Sequence, residues 1–361
     1  VKVLPRAAAP PARERGGPRR TTRSRYPLVL AALALVLLAA AVAGLALGSV
    51  RIPVGQVLAI VAGRAEPSPY RTIVLEVRAP RVVLGAVTGA GLAVIGTVLQ
   101  ALVRNPLADP FLLGVSSGAS AGAVAVIVLG VGAGVATTVA LPAAAFAGAL
   151  AALVLVYALA RRAGSMTGGR LVLAGVAVSY VLSALTSLIL VTSASAAHAQ
   201  EVLHWTLGGL GGARWDMLAL PAVALVLGTL VLIALARPLD LLLVGEEGAG
   251  VLGLDTGRFR AGAFVLASLL TGVLVAYTGA IGFVGLMVPH AARLAVGAAH
   301  RTLLPVVALG GAAFLVLADL AARTVAAPSD IPVGVLTALT GGPFFLWMLR
   351  GHGTRAEGGP A

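Results

Sequence analysis

Long apolar runs alternate with short polar connections along nearly the whole chain. After a stretch rich in Arg, Pro and Gly, apolar runs fall near residues 26–49, 81–103, 111–131, 135–160, 171–191, 215–236, 259–277, 282–296, 303–325 and 333–349. Most approach or exceed the roughly 18–20 residues that a helix needs to cross a bilayer. The pattern predicts an all-α integral membrane protein of about ten transmembrane helices. The run near 282–296 is short and holds Pro289, His290 and Arg293, so it needs shielding by protein or a place near an interface. Residues 1–25 lack apolar periodicity and read as a disordered basic tail. A ten-helix domain over 26–350 and a second tail over 351–361 complete the division.

Composition sharpens this reading. Of 361 residues 59% are hydrophobic and only 11% charged, against about 25% charged in a soluble domain. The polar surface is too small to cover a water-soluble globule. An ordinary cytosolic enzyme, a disordered protein and a disulfide scaffold are excluded.

The net charge of +13 does not point to nucleic acid, because basic residues in cytoplasmic loops orient membrane proteins. With the N-terminal tail inside, 19 of the 26 basic residues lie inside. Seven lie outside: Arg51, Arg64, Arg71, Arg78, Arg81, Arg214 and Arg323. Both termini are therefore expected in the cytoplasm, as in a multi-pass protein of a bacterial cytoplasmic membrane. Segment 51–80 then lies outside and segment 237–258 inside, where it has room for short interfacial helices.

Several chemistries are missing. The one Lys is Lys2, so the sequence has no P-loop, whose Lys must reach the phosphates. Cys is absent, which removes thiolate metal sites and Cys nucleophiles. The five His make no metal-ligand spacing with Asp or Glu, so no metal site is expected. Ser116 and Ser117 sit in a G-x-S-x-G-like stretch, but helices flank it where a nucleophile elbow needs a strand. Asp319 lies inside a predicted span, near its end, with Arg323 at i+4 on the same helical face. That spacing reads as a structural ion pair, with a proton relay as the alternative.

Three stretches carry more. Val77-Arg78-Ala79-Pro80-Arg81 puts two Arg on the outer side, against the charge trend, either as interfacial anchors or as a dock for an acidic partner. Arg104-Asn105-Pro106-Leu107-Ala108-Asp109-Pro110 is a stiff connection, either a plain turn or a constriction at the cytoplasmic mouth. Gly245-Glu246-Glu247-Gly248-Ala249-Gly250-Val251-Leu252-Gly253 places two acids in an otherwise basic inner face.

With Leu113-Gly-Val-Ser-Ser-Gly118, Leu173-Ala-Gly175, Trp205-Thr-Leu-Gly208, Gly279-Ala-Ile-Gly-Phe-Val-Gly-Leu286, Val288-Pro-His290, Leu317-Ala-Asp319, Ile331-Pro-Val-Gly334 and Pro343-Phe-Phe-Leu-Trp347, these stretches stand in an order that resembles one family. It is the FecCD-type permease subunit of ABC importers for iron–siderophore complexes, haem and cobalamin. The resemblance covers about residues 28 to 350. It implies a type II importer permease of ten helices, paired with a second copy or a paralogue, two cytoplasmic ATPase subunits and an extracytoplasmic substrate-binding protein. ATP and Mg then belong to the ATPase, and this chain binds no cofactor and is no enzyme.

The resemblance also implies roles. Arg78, Arg81 and Arg323 match outer-face residues that pair with acids of the binding protein. Gly245, Glu246, Glu247, Ala249, Leu252 and Gly253 match the coupling segment that meets the ATPase. Asn105 and Leu107 match the inner gate, with Ser116 and Ser117 beside the path. The loop 165–169 stands where a second gate element belongs but does not match it residue for residue. The implied cargo is an iron–siderophore complex, with haem or cobalamin as alternatives. The readings of another class are an ATP-independent carrier and a membrane-embedded enzyme using His290 or Ser117.

Overall fold

The computed structural model describes residues 21–160, 168–327 and 329–353. These residues are overwhelmingly helical. The helices are α1 (Thr21–Ala46), α2 (Val54–Val61), α3 (Pro69–Thr72), α4 (Ala79–Val103), α5 (Val115–Ile127), α6 (Thr137–Ala160), α7 (Gly168–Ser193), α8 (Ala196–Thr206), α9 (Trp215–Ala234), α10 (Ala236–Val244), α11 (Glu246–Val251), α12 (Thr256–Thr278), α13 (Val284–Val296), α14 (His300–Val325) and α15 (Val333–Gly353).

Among the described residues seven helices are long and apolar enough to cross a membrane, and three shorter apolar ones cover Val115–Ile127, Val284–Val296 and Val333–Met348. These ten coincide with the ten apolar runs of the sequence. Boundaries differ where polar residues continue a helix. α1 begins at Thr21, inside the expected tail, and α15 runs to Gly353, past the expected end at 350. Three helices were not expected, α2, α8 and α3, the last of which extends the second span back from 81 to Pro69. All are short. α2 buries Val57 and Ile60 against Ala46, Ile52 and Val74, and α8 starts where the Ser195 hydroxyl accepts from the His198 N–H.

The second long span is built in three pieces. Ser68 caps its start by accepting from the Arg71 N–H, and Pro69 follows at the first helical position. A π-helical turn, Ile73–Arg78, then leads without a break into α4. One wide turn re-aims the side chains around it, and it ends on Arg78.

α4 is the central post, buried along nearly its whole length. α9, α12, α13 and α14 pack around it. Glycines permit the closest crossings. A Cβ on Gly96 would stand 2.0 Å from the Gly285 carbonyl oxygen, and one on Gly89 2.2 Å from that of Gly311. Such backbone approach is how membrane helices gain packing when lipid offers no hydrophobic drive between them.

α4 stops at Arg104, which takes the left-handed conformation at φ 54°. Asp109 then opens a short 3-10 turn by accepting from the Phe111 N–H at 2.8 Å. α1, α6, α7 and α9 turn large apolar side chains outward, among them Leu35, Val154, Leu173, Tyr180, Val181 and Leu227. That outer surface suits lipid or another membrane helix.

Candidate functional site

The charged side chains gather toward the two ends of the bundle. At one end, the start of α4 meets the ends of α1 and α14. The Arg81 Nε donates to both Asp319 oxygens at 3.0 and 3.2 Å, and its Nη1 reaches Asp330 Oδ2 at 2.7 Å. Arg323 Nε lies 3.0 Å from Asp319 Oδ2, a charge contact rather than an aligned hydrogen bond. Its Nη2 donates to the Gly44 carbonyl at 3.1 Å. Arg78 donates to the carbonyls of Leu45 at 2.7 Å and Val50 at 2.5 Å.

The i,i+4 pair read from the sequence is thus present, but Arg81 is the better-aligned partner of Asp319. Of the three arginines expected to meet a partner on the outer side, two have buried side chains. Arg78 is 5% and Arg323 7% exposed, and their guanidinium groups are used on backbone carbonyls and Asp319. These carbonyls belong to the frayed end of α1 and the turn after it, where helix ends leave acceptors unsatisfied. Arg81 alone of the three keeps an edge toward solvent, shared with the half-exposed Asp330.

At the other end, α10 and α11 form a bent arm with Gly245 at φ 111° between them. Glu246 Oε1 lies 2.7 Å from Arg260 Nη1 on α12 and 3.9 Å from Arg104 Nη2. Arg104, Val244, Gly245, Glu246, Glu247 and Arg260 line a cavity of about 620 Å³. Within the arm Ala249 is buried, whereas Glu247, Val251, Leu252 and Gly253 are exposed. The arm is tied to α14 as well. Asp240 Oδ1 accepts from the His300 backbone N–H at 3.0 Å and lies 2.6 Å from His300 Nδ1.

The connection after α4 brings part of the expected gate together. The Asn105 side chain accepts from the Leu107 N–H at 2.9 Å. Leu107 lines a cavity of about 530 Å³ with Asp109, Phe111, Phe283, Leu286 and Phe345. The Asp109 carboxyl accepts from the backbone N–H groups of Phe111 and Phe283, yet burial pushes its pKa up to about 6. Phe283 itself sits at φ 69°.

Ser116 and Ser117 do not join this cavity. They lie on α5, with Ser116 buried and Ser117 half-buried. Residues 165–167 of the second gate loop lie outside the described residues.

Sequence reading missed Gln100. It donates to the Gly285 carbonyl at 3.1 Å and accepts from Arg293 at 2.5 Å. A lone Gln inside the apolar run that becomes α4 was the available signal. Among the described residues no cluster of three or more His, Asp or Glu is placed to hold a metal ion.

Among the described residues, a bundle of ten apolar helices with one of them buried at its centre, its charged side chains gathered toward the two ends and a bent arm at one of them, has the architecture of a membrane permease. Residues 34–351 match the FecCD transport family, and the chain belongs to that family of ABC importer permease subunits. It is 47% identical over 290 residues to the cobalamin import system permease protein of Halobacterium salinarum, covering 80% of this chain and 76% of the relative. The hemin transport system permease protein of Yersinia pestis is 43% identical over 276 residues, 76% of this chain and 82% of its own length. A solved metal-chelate type ABC transporter in an inward-facing conformation superposes with TM-score 0.80 at 32% identity, over 90% of this chain and 99% of that one.

Proposed function

We propose that this chain is the translocating subunit through which an ATP-driven importer passes a metal chelate across a bacterial cytoplasmic membrane by alternating access. One observation carries the reading: the bent arm α10–α11, held by Glu246 on Arg104 and Arg260, stands at the opposite end of the bundle from the Arg81 cluster. Such an arm suits a groove on an ATPase, with Val251 and Leu252 exposed as contact points. The bias of basic residues favours the arm inside, together with both termini, and the Arg81 cluster outside.

The machinery then comprises two copies of this chain, or this chain and a paralogue, two ATPase subunits that hold ATP and Mg, and a binding protein outside. The permease itself contributes neither catalysis nor a cofactor. Asn105 and Leu107 close the inner mouth, and the surrounding lipid covers the outward apolar faces. Gly282, Phe283 and Phe345 widen the mouth into an apolar cavity that suits a bulky chelate better than a bare ion.

An iron–siderophore complex is the cargo read from the sequence. Cobalamin is a second reading, favoured by the name of the 47% identical relative, and haem is favoured by that of the 43% identical one.

The test is to purify the tagged chain from its host in mild detergent and identify what accompanies it by mass spectrometry. A P-loop ATPase at equal stoichiometry is expected. The accompanying binding protein is then titrated with a siderophore complex, haem and cobalamin. Transport by the isolated chain in liposomes without ATP would overturn the reading.

A further inference from the structure

The two carboxylates on Arg81 differ in kind. Asp319 is 3% exposed and is shared with Arg323, so removing it strands buried charge. Asp330 is 51% exposed and touches Arg81 through one oxygen. With its carboxylate half in solvent, this contact is more screened and more readily exchanged than the one to Asp319.

With Arg78 and Arg323 committed to the interior, the guanidinium edge left for a partner is Arg81 Nη1, and Asp330 sits on it. Arg78, Arg81 and Arg323 against Asp319 and Asp330 leave this end one positive charge in excess, and lifting Asp330 away makes it two. Asp330 has room to swing. It borders a cavity of about 550 Å³ with Glu201, His204, Trp205 and Tyr277.

We propose that Asp330 is an internal placeholder, whose carboxylate holds the accessible edge of Arg81 until a carboxylate of the docking protein displaces it. The proposal rests on the reading that the Arg81 end meets an acidic partner, and it adds the residue that competes with that partner. Exchange keeps Arg81 neutralised throughout, so no buried charge is stranded on the way. It also releases a tether on the connection into α15. That connection is otherwise held by the Ile331 N–H on the Ala322 carbonyl and the Gly334 N–H on the Gly208 carbonyl, both at 3.3 Å. Docking at this end thereby loosens the start of α15, the helix that carries Phe345 to the cavity beside Leu107.

The experiment measures the affinity of the purified complex in nanodiscs for the binding protein recovered with it. Asp330→Asn is expected to tighten binding about two- to fivefold, the worth of an exposed ion pair. Asp330→Glu is expected to restore the original affinity, and Arg81→Gln to weaken binding. In the Arg81→Gln background, Asp330→Asn is expected to change nothing more.

Equal tightening in that background would make Asp330 a general surface charge and overturn the proposal. So would an unchanged or weaker affinity of Asp330→Asn while Arg81→Gln weakens binding, a result that leaves the docking reading standing. If Arg81→Gln does not weaken binding, the docking reading falls and the placeholder with it.

Discussion

Asp240 of α10 caps α14: one of its carboxylate oxygens accepts from the backbone N–H of His300 and lies 2.6 Å from the ring nitrogen of the same residue. The contact joins the bent arm to the long helix that ends at the Arg81 cluster. A carboxylate at a helix start satisfies an orphan donor and meets the positive end of the dipole. Asp240→Ala is expected to destabilise the protein by about 1–2 kcal/mol, and Asp240→Asn by less. Thermal unfolding of the purified variants checks this, and equal losses in both would contradict the capping account.

Arg78 is expected to behave as a structural tie. Its replacement by Ala leaves the carbonyls of Leu45 and Val50 without their donor, a loss on the order of 2–4 kcal/mol. Lower yield and thermal stability of Arg78→Ala, measured before any partner is added, is the expected outcome. Full stability with weakened docking would return Arg78 to the outer surface.

Asp319 neutralises the buried Arg323 and the half-buried Arg81. Asp319→Ala is expected to cost about 3–5 kcal/mol, because it strands the buried Arg323 and leaves Arg81 to Asp330 alone. Adding Arg323→Leu is expected to recover part of that loss, as read by folded yield in size-exclusion chromatography.

Asp109 gives a pH dependence of definite sign. Its pKa is pushed up to about 6 from an ordinary 3.8, so the folded state holds the proton more tightly than the unfolded one. Its contribution to stability is fully present below about pH 4 and is lost as pH rises through about 6. Unfolding temperatures across that window are expected to fall with rising pH, and Asp109→Asn to flatten the part of the slope that Asp109 supplies. An unchanged slope in the variant would contradict the burial of this carboxyl.

At the α4–α13 crossing, Gly96→Ala is expected to abolish assembly, since its Cβ would meet the Gly285 carbonyl, whereas Gly262→Ala has open space and is expected to be neutral. Fluorescence-detected size exclusion distinguishes them.

The ten spans were legible because lipid demands long uninterrupted apolar runs, and such runs are visible in one dimension. The run 282–296 is legible as a short apolar stretch, although Pro289 and Arg293 interrupt it and require shielding by protein or an interface. α2 and α8 were not legible, since eight and eleven residues are too short to cross lipid and carry no such demand. The pair Asp319–Arg323 was visible because helical spacing puts both on one face. Arg81–Asp319 was not, because the two lie 238 residues apart and meet only when α4 and α14 cross. For the same reason the burial of Arg78 escaped notice. A charge count reports which side of the membrane an arginine occupies, but not whether a neighbouring helix end has already taken its donors.

α14 is gripped by Asp240 at His300 and by Arg81 at Asp319, and it crosses α4 closely at Gly311, near its middle. At 1.5 Å per residue, the crossing stands about 16 Å from the grip at His300 and about 12 Å from the grip at Asp319. Both ends of the bundle are thus fastened to one rod that is pinned to the central helix between them.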